Sequence, residues 1–304
     1  MQSLASFPMR GRSQAALVAA ATAVLSLILP LVGLISSSAV ALVTLRKGAG
    51  EGLIVGAFAG LGGGLLTFAV LGSPLPAVGF VLILWLPIWV LSVVLHRTRS
   101  LALTIQSAAV SGLVILVGIR LLTADPTAYW MELLELLRRG LVEGKVIEAT
   151  ESEQLITQIA RWMTGTFAAA FYCQLLLALF LGRWWQALLY NPGGFGAEFR
   201  TFQVRSEVSY AALGLAIPIL LLDEAMWAAE FLLLSAPLFF LQGVAIVHSL
   251  AHAYSLHRGW LIGFYLLLLL IAPHAEILIV GFGFLDSWID LRARIATRKK
   301  SQDE

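Results

Sequence analysis

The sequence predicts an all-α, polytopic integral membrane bundle of about eight to nine segments. Three observations carry that prediction. Of the 304 residues, 59% are hydrophobic and only 12% are charged, where soluble domains hold about 25% charged residues. The apolar residues fall in long runs, and a spanning helix needs roughly 20 of them. The runs also lack the strict alternation of barrel strands, and a backbone facing lipid must close its hydrogen bonds internally, which leaves helices.

With Gly, Pro and charge as punctuation, apolar segments are expected at about 14–34, 36–45, 51–72, 76–95, 101–122, 164–182, 208–222, 228–253 and 259–285. The first follows Met-Arg-Gly-Arg and is read as a retained helix, being longer than a signal core and followed by similar segments. Basic residues gather at Arg10/Arg12, Arg46/Lys47, Arg97/Arg99, Arg183/Arg200/Arg205, Arg258 and in the tail from Arg292 to Lys300. Lys and Arg favour the cytoplasmic side, so a cytoplasmic N-terminus places these clusters inside, provided 36–45 is half of a tight hairpin. Residues 124–162 then lie outside, with seven acids against four bases. Nine crossings would put the basic tail outside. Pro273 in the middle of 259–285 offers the remedy, since proline breaks a helix and permits a re-entrant hairpin.

The chain accordingly divides into an N-terminal five-segment bundle (1–123), an extracytoplasmic amphipathic insertion (124–162) and a C-terminal part (163–304), the last with a cytoplasmic amphipathic arm (183–207) and the basic tail. In the insertion, TAYWMELLELLRRGL and SEQLITQIARWM have apolar residues at helical spacing and are expected on the outer membrane surface or capping the bundle.

Small residues mark the packing faces. Gly52, Gly56, Gly60 and Gly64 stand four apart, and Ala15, Ala19 and Ala23 repeat the device, so each set lines one helix face that another backbone can approach closely. Beside close packing, the glycine groove could also pass or hold a ligand. Ionisable residues inside apolar runs are costly and usually face a cavity or a partner; Glu230, His274 and Glu276 are the candidate ligand-binding residues, with Arg120 a lesser one. His248 and His252 share a helix face, but two histidines fall short of a structural metal set, so no metal and no cofactor are expected. The lone cysteine, Cys173, excludes an intramolecular disulfide. Gly48, Gly50 and Gly52 lack the preceding strand of a phosphate loop. No nucleophile, base and metal combination supports catalysis, and a net charge of +2 distributed by topology speaks against nucleic acid.

The stretch RWWQALLYNPGGFGAEF is read as an interfacial device. Trp184, Trp185 and Tyr190 anchor a helix end at the headgroups, Asn-Pro-Gly-Gly turns the chain, and Phe195, Phe199 and Phe202 form one face of an amphipathic helix that rests on lipid or meets a partner. Together with MRGRSQA, VTLRKG and the closing GFLDSWIDLRAR, which holds Asp286, Trp288, Asp290 and Arg292, this block resembles the DUF2232 (YybS-like) family of bacterial membrane proteins over essentially the whole chain. The resemblance implies a fold similar to the substrate-binding S components of energy-coupling-factor transporters and to the rod-shape protein MreD. It further implies that Ala15, Ala19 and Ala23 match the stripe S components present to a coupling subunit. The chain departs from that pattern by its rear part and its external insertion. Two functions follow as expectations: a non-enzymatic, transporter-like subunit that binds a small ligand beside an energy-coupling protein, or a scaffold of the membrane that recruits partners and lipid through arm and tail.

Overall fold

The computed structural model describes residues 2–222 and 225–294, and among these the secondary structure is helical, with no strand. A short α1 (Gln2–Ser6) leads into α2 (Arg12–Leu25), α3 (Gly33–Lys47), α4 (Ala49–Leu71), α5 (Leu75–Gly79), α6 (Leu86–Thr98) and α7 (Leu101–Leu122). The insertion holds α8 (Pro126–Glu143). The 42-residue α9 (Ala149–Tyr190), the short α10 (Gly194–Arg200), α11 (Ser206–Leu221), α12 (Met226–Ala253), α13 (Arg258–Leu270) and α14 (His274–Ile289) follow.

Among the described residues six helical stretches are long and apolar enough to cross a membrane: 30–47, 49–71, 75–98, 101–122, 149–190 and 226–253. The pair α13–α14 adds a seventh if it is one broken span; the two are bent by 117° at the break before His274. Helix length therefore supports six or seven spans where eight to nine were expected. The difference lies in α2 and α11, which are apolar but only 14 and 16 residues long. At 1.5 Å per residue they measure about 21 and 24 Å, short of the roughly 30 Å hydrocarbon core. The same comparison redraws the N-terminus. The expected 14–34 segment stops at Leu25, and the expected ten-residue 36–45 segment is the buried part of an 18-residue stretch from Pro30 to Lys47.

That stretch is the centre of the front bundle. Residues 36–45 are buried without exception, and Ser36, Ser37 and Ser38 bind three different neighbours. Ser36 Oγ donates to Ala19 O of α2 (2.7 Å), Ser37 Oγ to Leu84 O before α6 (3.3 Å), and Ser38 Oγ shares its proton between Leu34 O of its own helix (2.5 Å) and Ala178 O of α9 (2.9 Å). Trp85 Nε1 closes the set by donating to Ser36 Oγ (2.8 Å). Successive helical residues point about 100° apart, so three adjacent hydroxyls reach three sides. In an apolar interior each such bond also satisfies a polar group that has no water to turn to.

Close approach around α3 depends on small residues. Gly48 takes φ 96°, the left-handed region that ends α3 and starts α4. A Cβ on Gly52 would overlap the Thr44 hydroxyl, so this hairpin closes only over glycine. Ala15, Ala19 and Ala23 are fully buried and α2 packs on α3 and α4. Their stripe is consumed inside the chain.

The insertion does not end where its second amphipathic stretch ends. Its second amphipathic stretch continues without a break into the next span, so α9 is about 63 Å long, twice the hydrocarbon thickness. Helix α8 folds back along the first half of α9: Trp130 Nε1 donates to Thr164 Oγ1 (2.9 Å), and Trp130 packs on Phe167, both at the start of the apolar run. Farther along this hairpin, hydrogen bonds from Arg138 and Arg139 hold the Glu135 carboxyl down at about 2. α9 packs against α3 and α7 of the front part and against α12 of the rear, so both parts share it.

In the rear part α12 and α14 are the most closely packed pair. A Cβ on Gly283 would overlap Phe239 O, and one on Gly243 would overlap Ile279 O. Nothing lies within 4 Å of the same position on Gly56. Gly283→Ala is therefore expected to lower stability by at least about 1–3 kcal/mol, the cost of forcing atoms into a filled space, while Gly56→Ala changes it little. Thermal unfolding in one detergent checks this, and equal melting temperatures for the two variants would contradict it.

Candidate functional site

The cationic clusters meet at one end of the molecule. Arg12 Nε donates to Glu51 (2.9 Å), Arg46 stacks over the Tyr190 ring at 4.0 Å, His96 Nδ1 and Gln186 Nε2 both reach Leu45 O (3.0 Å each), and Arg292 reaches Arg200 O (3.0 Å). At the opposite end lies a cavity of about 670 Å³ between α7, the start of α8, α9, the end of α11 and the first turns of α12.

Glu230 and Arg120 form the floor of that cavity. Glu230 sits in α12 and is 1% exposed; Arg120, in the last turn of α7, donates from Nε to its Oε2 (2.8 Å) and from Nη2 to the same oxygen. Both residues interrupt apolar helices, and each makes the other tolerable, because one ion left alone in this setting would be far more costly than the pair. Space for the carboxylate comes from Gly165 on α9, where a Cβ would stand 2.9 Å from Glu230 Cγ. Asp125, also lining the cavity, is the N-cap of α8: its Oδ1 accepts from Thr127 N (2.9 Å) and Ala128 N (3.1 Å).

The remaining walls divide into two kinds. Trp162, Ile219, Leu222 and Met226 are apolar, while Arg161 and Thr127 are polar. Arg161 is exposed and makes no ion pair among the described residues. Asp223 and Glu224, between Leu222 and Ala225 in sequence, lie outside the described residues. Apolar walls with a few convergent polar groups, in a volume between 300 and 1,000 Å³, are the usual makeup of a small-molecule site. A guanidinium with no ion pair among the described residues, on a lining that also holds an indole, suits a ligand with one anionic group and one flat or apolar part.

Of the three residues expected to bind ligand, Glu230 alone lines this cavity. His274 and Glu276 are exposed and do not join it. Pro273 ends the preceding turn, so the two ionisable residues that looked central in an apolar run stand at the start of α14. His248 Nε2 bonds the Tyr265 hydroxyl (2.7 Å), His257 Nδ1 accepts from Gly259 N (3.1 Å), and His252 is exposed. The glycine stripe divides. Gly52 is tight and Gly64 faces Ala77, while Gly52, Gly56 and Gly60 border an apolar groove of about 490 Å³ with Trp85 and Trp89.

Arm and tail clasp each other. Phe195 and Phe199 pack on Phe180 of α9, and Phe199 also meets His248, with ring centroids 5.6 to 5.9 Å apart. Phe202 is 1% exposed and Trp185 packs on Ala5 and Leu42, so neither is open to lipid or a partner, as the arm reading had required. Trp184 and Tyr190 remain partly exposed. Asp286, fully buried, accepts from Gln242 Nε2 (2.8 Å), Leu291 N (2.8 Å) and Arg292 Nη2 (3.0 Å). Gln242 Oε1 in turn accepts from Val204 N (2.8 Å), and Arg292 Nη1 donates to Phe202 O (2.7 Å). Trp288 fits between Phe284 and Tyr210, and Asp290 closes α14 at φ 47° while accepting from Ala293 N. The four tail residues of the closing motif thus hold the fold together. Of the tail's five bases, Arg298, Lys299 and Lys300 lie outside the described residues.

The sequence reading passed over Gln242, Arg161 and the three serines. Gln242 was visible as the uncharged polar residue in the middle of 228–253, whereas nothing in the sequence marked Arg161 as unpaired. Comparison with protein-family models, curated proteins and solved structures found no match for the chain.

Proposed function

We propose that this chain is a non-enzymatic, small-ligand-binding subunit of a membrane transport system, similar in build to an S component, set in a bacterial inner membrane with its N-terminus in the cytoplasm. The observation that carries the reading is the mixed polar and apolar cavity between α7, α9, α11 and α12, built over a buried ion pair and beside Arg161, which has no ion pair among the described residues. The orientation rests on the gathering of Arg12, Arg46, Arg183, Arg200 and Arg292 at the end away from the cavity. The cavity then opens to the outer side, where a subunit serving uptake meets its ligand. An energy-coupling partner would have to dock away from the alanine stripe, which is covered, and the Gly56 groove is the open small-residue face.

A thermal-shift screen of the detergent-purified protein against anionic vitamins and nucleosides tests this. A ligand at a hundred times its Kd adds about 2.7 kcal/mol to stability, and Arg161→Gln is expected to abolish most of that gain without changing the melting temperature of the free protein. A screen in which no compound stabilises the protein, or one whose hits are indifferent to Arg161→Gln, counts against the site.

A scaffold role is the second reading, favoured by the projecting α8–α9 hairpin. Leu133, Leu136 and Leu137 are exposed on α8 at 56, 83 and 50%, which leaves an apolar edge outside the span. Crosslinking from Leu136 that traps only lipid would argue against it.

A further inference from the structure

A second cavity lies at the cationic end. It encloses about 200 Å³ where the C-terminal ends of α3, α6 and α9 converge, and its charged lining groups are Arg46, Arg99, Arg183 and Glu198, with His96 beside them. Helix C-termini carry partial negative charge, so basic residues are expected there simply as compensation.

The Leu45 carbonyl accepts twice, from His96 Nδ1 and from Gln186 Nε2, both at 3.0 Å. Arg183 is neutralised by Glu198, with its Nε 3.0 Å from Oε2 and its Nη2 on the other oxygen, while its Nη1 donates to Gln186 Oε1 (3.1 Å). Glu198, the single carboxylate on the lining, is thereby spent. Two guanidiniums are left over. Arg46 lays its face on Tyr190, and neither its in-plane N–H groups nor Arg99 has an ion-pair partner among the described residues. His96 must carry its proton on Nδ1 to donate to a carbonyl, and its other nitrogen is uncommitted.

The geometry points to this cavity as a binding site for a phosphate group, held between Arg46 and Arg99. Guanidinium forks match phosphate oxygens in pairs. The volume lies below the 300 Å³ at which drug-sized pockets begin, which suits a headgroup-sized anion better than a nucleotide. Trp184 and Tyr190, partly exposed on the same end of α9, set it at headgroup depth. Basic pockets between helices on that side hold anionic lipid headgroups. The phosphodiester of an anionic lipid and a free phosphate share this chemistry, and the experiment separates them.

Full-length protein in detergent is incubated with equimolar phosphatidylglycerol and phosphatidylcholine of the same chains, and retained lipid is counted by native mass spectrometry. A parallel thermal shift compares inorganic phosphate with chloride at equal ionic strength. Selective retention of phosphatidylglycerol is expected, falling roughly fivefold for each arginine lost, so that the double variant Arg46→Gln/Arg99→Gln loses the selectivity. The control Lys47→Gln/Arg97→Gln removes the same charge from neighbouring positions off the cavity, and is expected to keep it. Should the first double variant fail to fold, Arg99→Gln alone serves, since that side chain is exposed and unpaired. Stabilisation by phosphate without lipid selectivity, lost in the Arg99 variant, assigns the site to a soluble phosphate. Neither effect, or equal loss in test and control pairs, overturns it.

Discussion

Replacing Arg120 with methionine is expected to destabilise the protein by about 3–5 kcal/mol, because it strands the buried Glu230 carboxylate without its counter-ion. The Arg120 side chain is 34% exposed and opens to the cavity, but Glu230 is 1% exposed and has no other partner among the described residues. The double variant Arg120→Met/Glu230→Leu removes both charges together and is expected to recover most of the loss, since the desolvation cost of the pair disappears with it. Thermal or denaturant unfolding in a single detergent measures both. A single variant as stable as wild type would mean that the carboxylate finds water or another cation, and the floor of the cavity would need redrawing. If ligands bind here, the stabilised double variant should still lose them, which separates folding from recognition.

Asp286→Ala should have an effect of similar size, also about 3–5 kcal/mol, by a different route. Its two oxygens accept three hydrogen bonds in a fully buried position, and removing them leaves Gln242, Leu291 N and the Arg292 guanidinium, only 12% exposed, without their acceptor. Each buried donor so abandoned costs about 1–3 kcal/mol, more when charged. Because Arg292 also pins Arg200 O and Phe202 O, the arm should come loose. Trypsin cleavage after Arg200 and Arg205 is the direct readout. Asp286→Asn keeps one acceptor and should fall between the two. Cleavage rates in Asp286→Ala that match wild type would show the arm is held by its phenylalanines alone.

The closing GFLDSWIDLRAR block entered the sequence reading only through a resemblance, whereas the structure gives four of its residues packing and hydrogen-bonding roles. In the fold this block faces inward, onto the arm. The phenylalanine spacing at 195, 199 and 202 was legible as an apolar face. What lay against that face was not, because an amphipathic pattern says that one side avoids water and cannot say whether lipid or protein supplies the cover. His274 and Glu276 failed for the same kind of reason. Their place in a hydropathy run suggested burial, but Pro273 moved them to an exposed helix start.

The long α9 shows the converse. Its first part was charged and amphipathic and its second apolar, so the two were read as separate elements. No proline stands between Ala149 and Tyr190, and the glycine at 165 is used for packing on Glu230. Hydropathy changes where the solvent changes; the backbone has no reason to stop there.

Composition and apolar runs alone determined that the chain is helical and rich in helices able to cross a membrane, since only helices can carry such runs with their hydrogen bonds closed. The runs also located most helices, with α7 recovered at both ends. Tertiary structure decided the rest: which glycines touch, where three serines point, and that Arg120 on α7 meets Glu230 on α12, 110 residues away. Those are matters of approach between distant segments, and a linear pattern carries the preference of each residue for its surroundings without the identity of the neighbour.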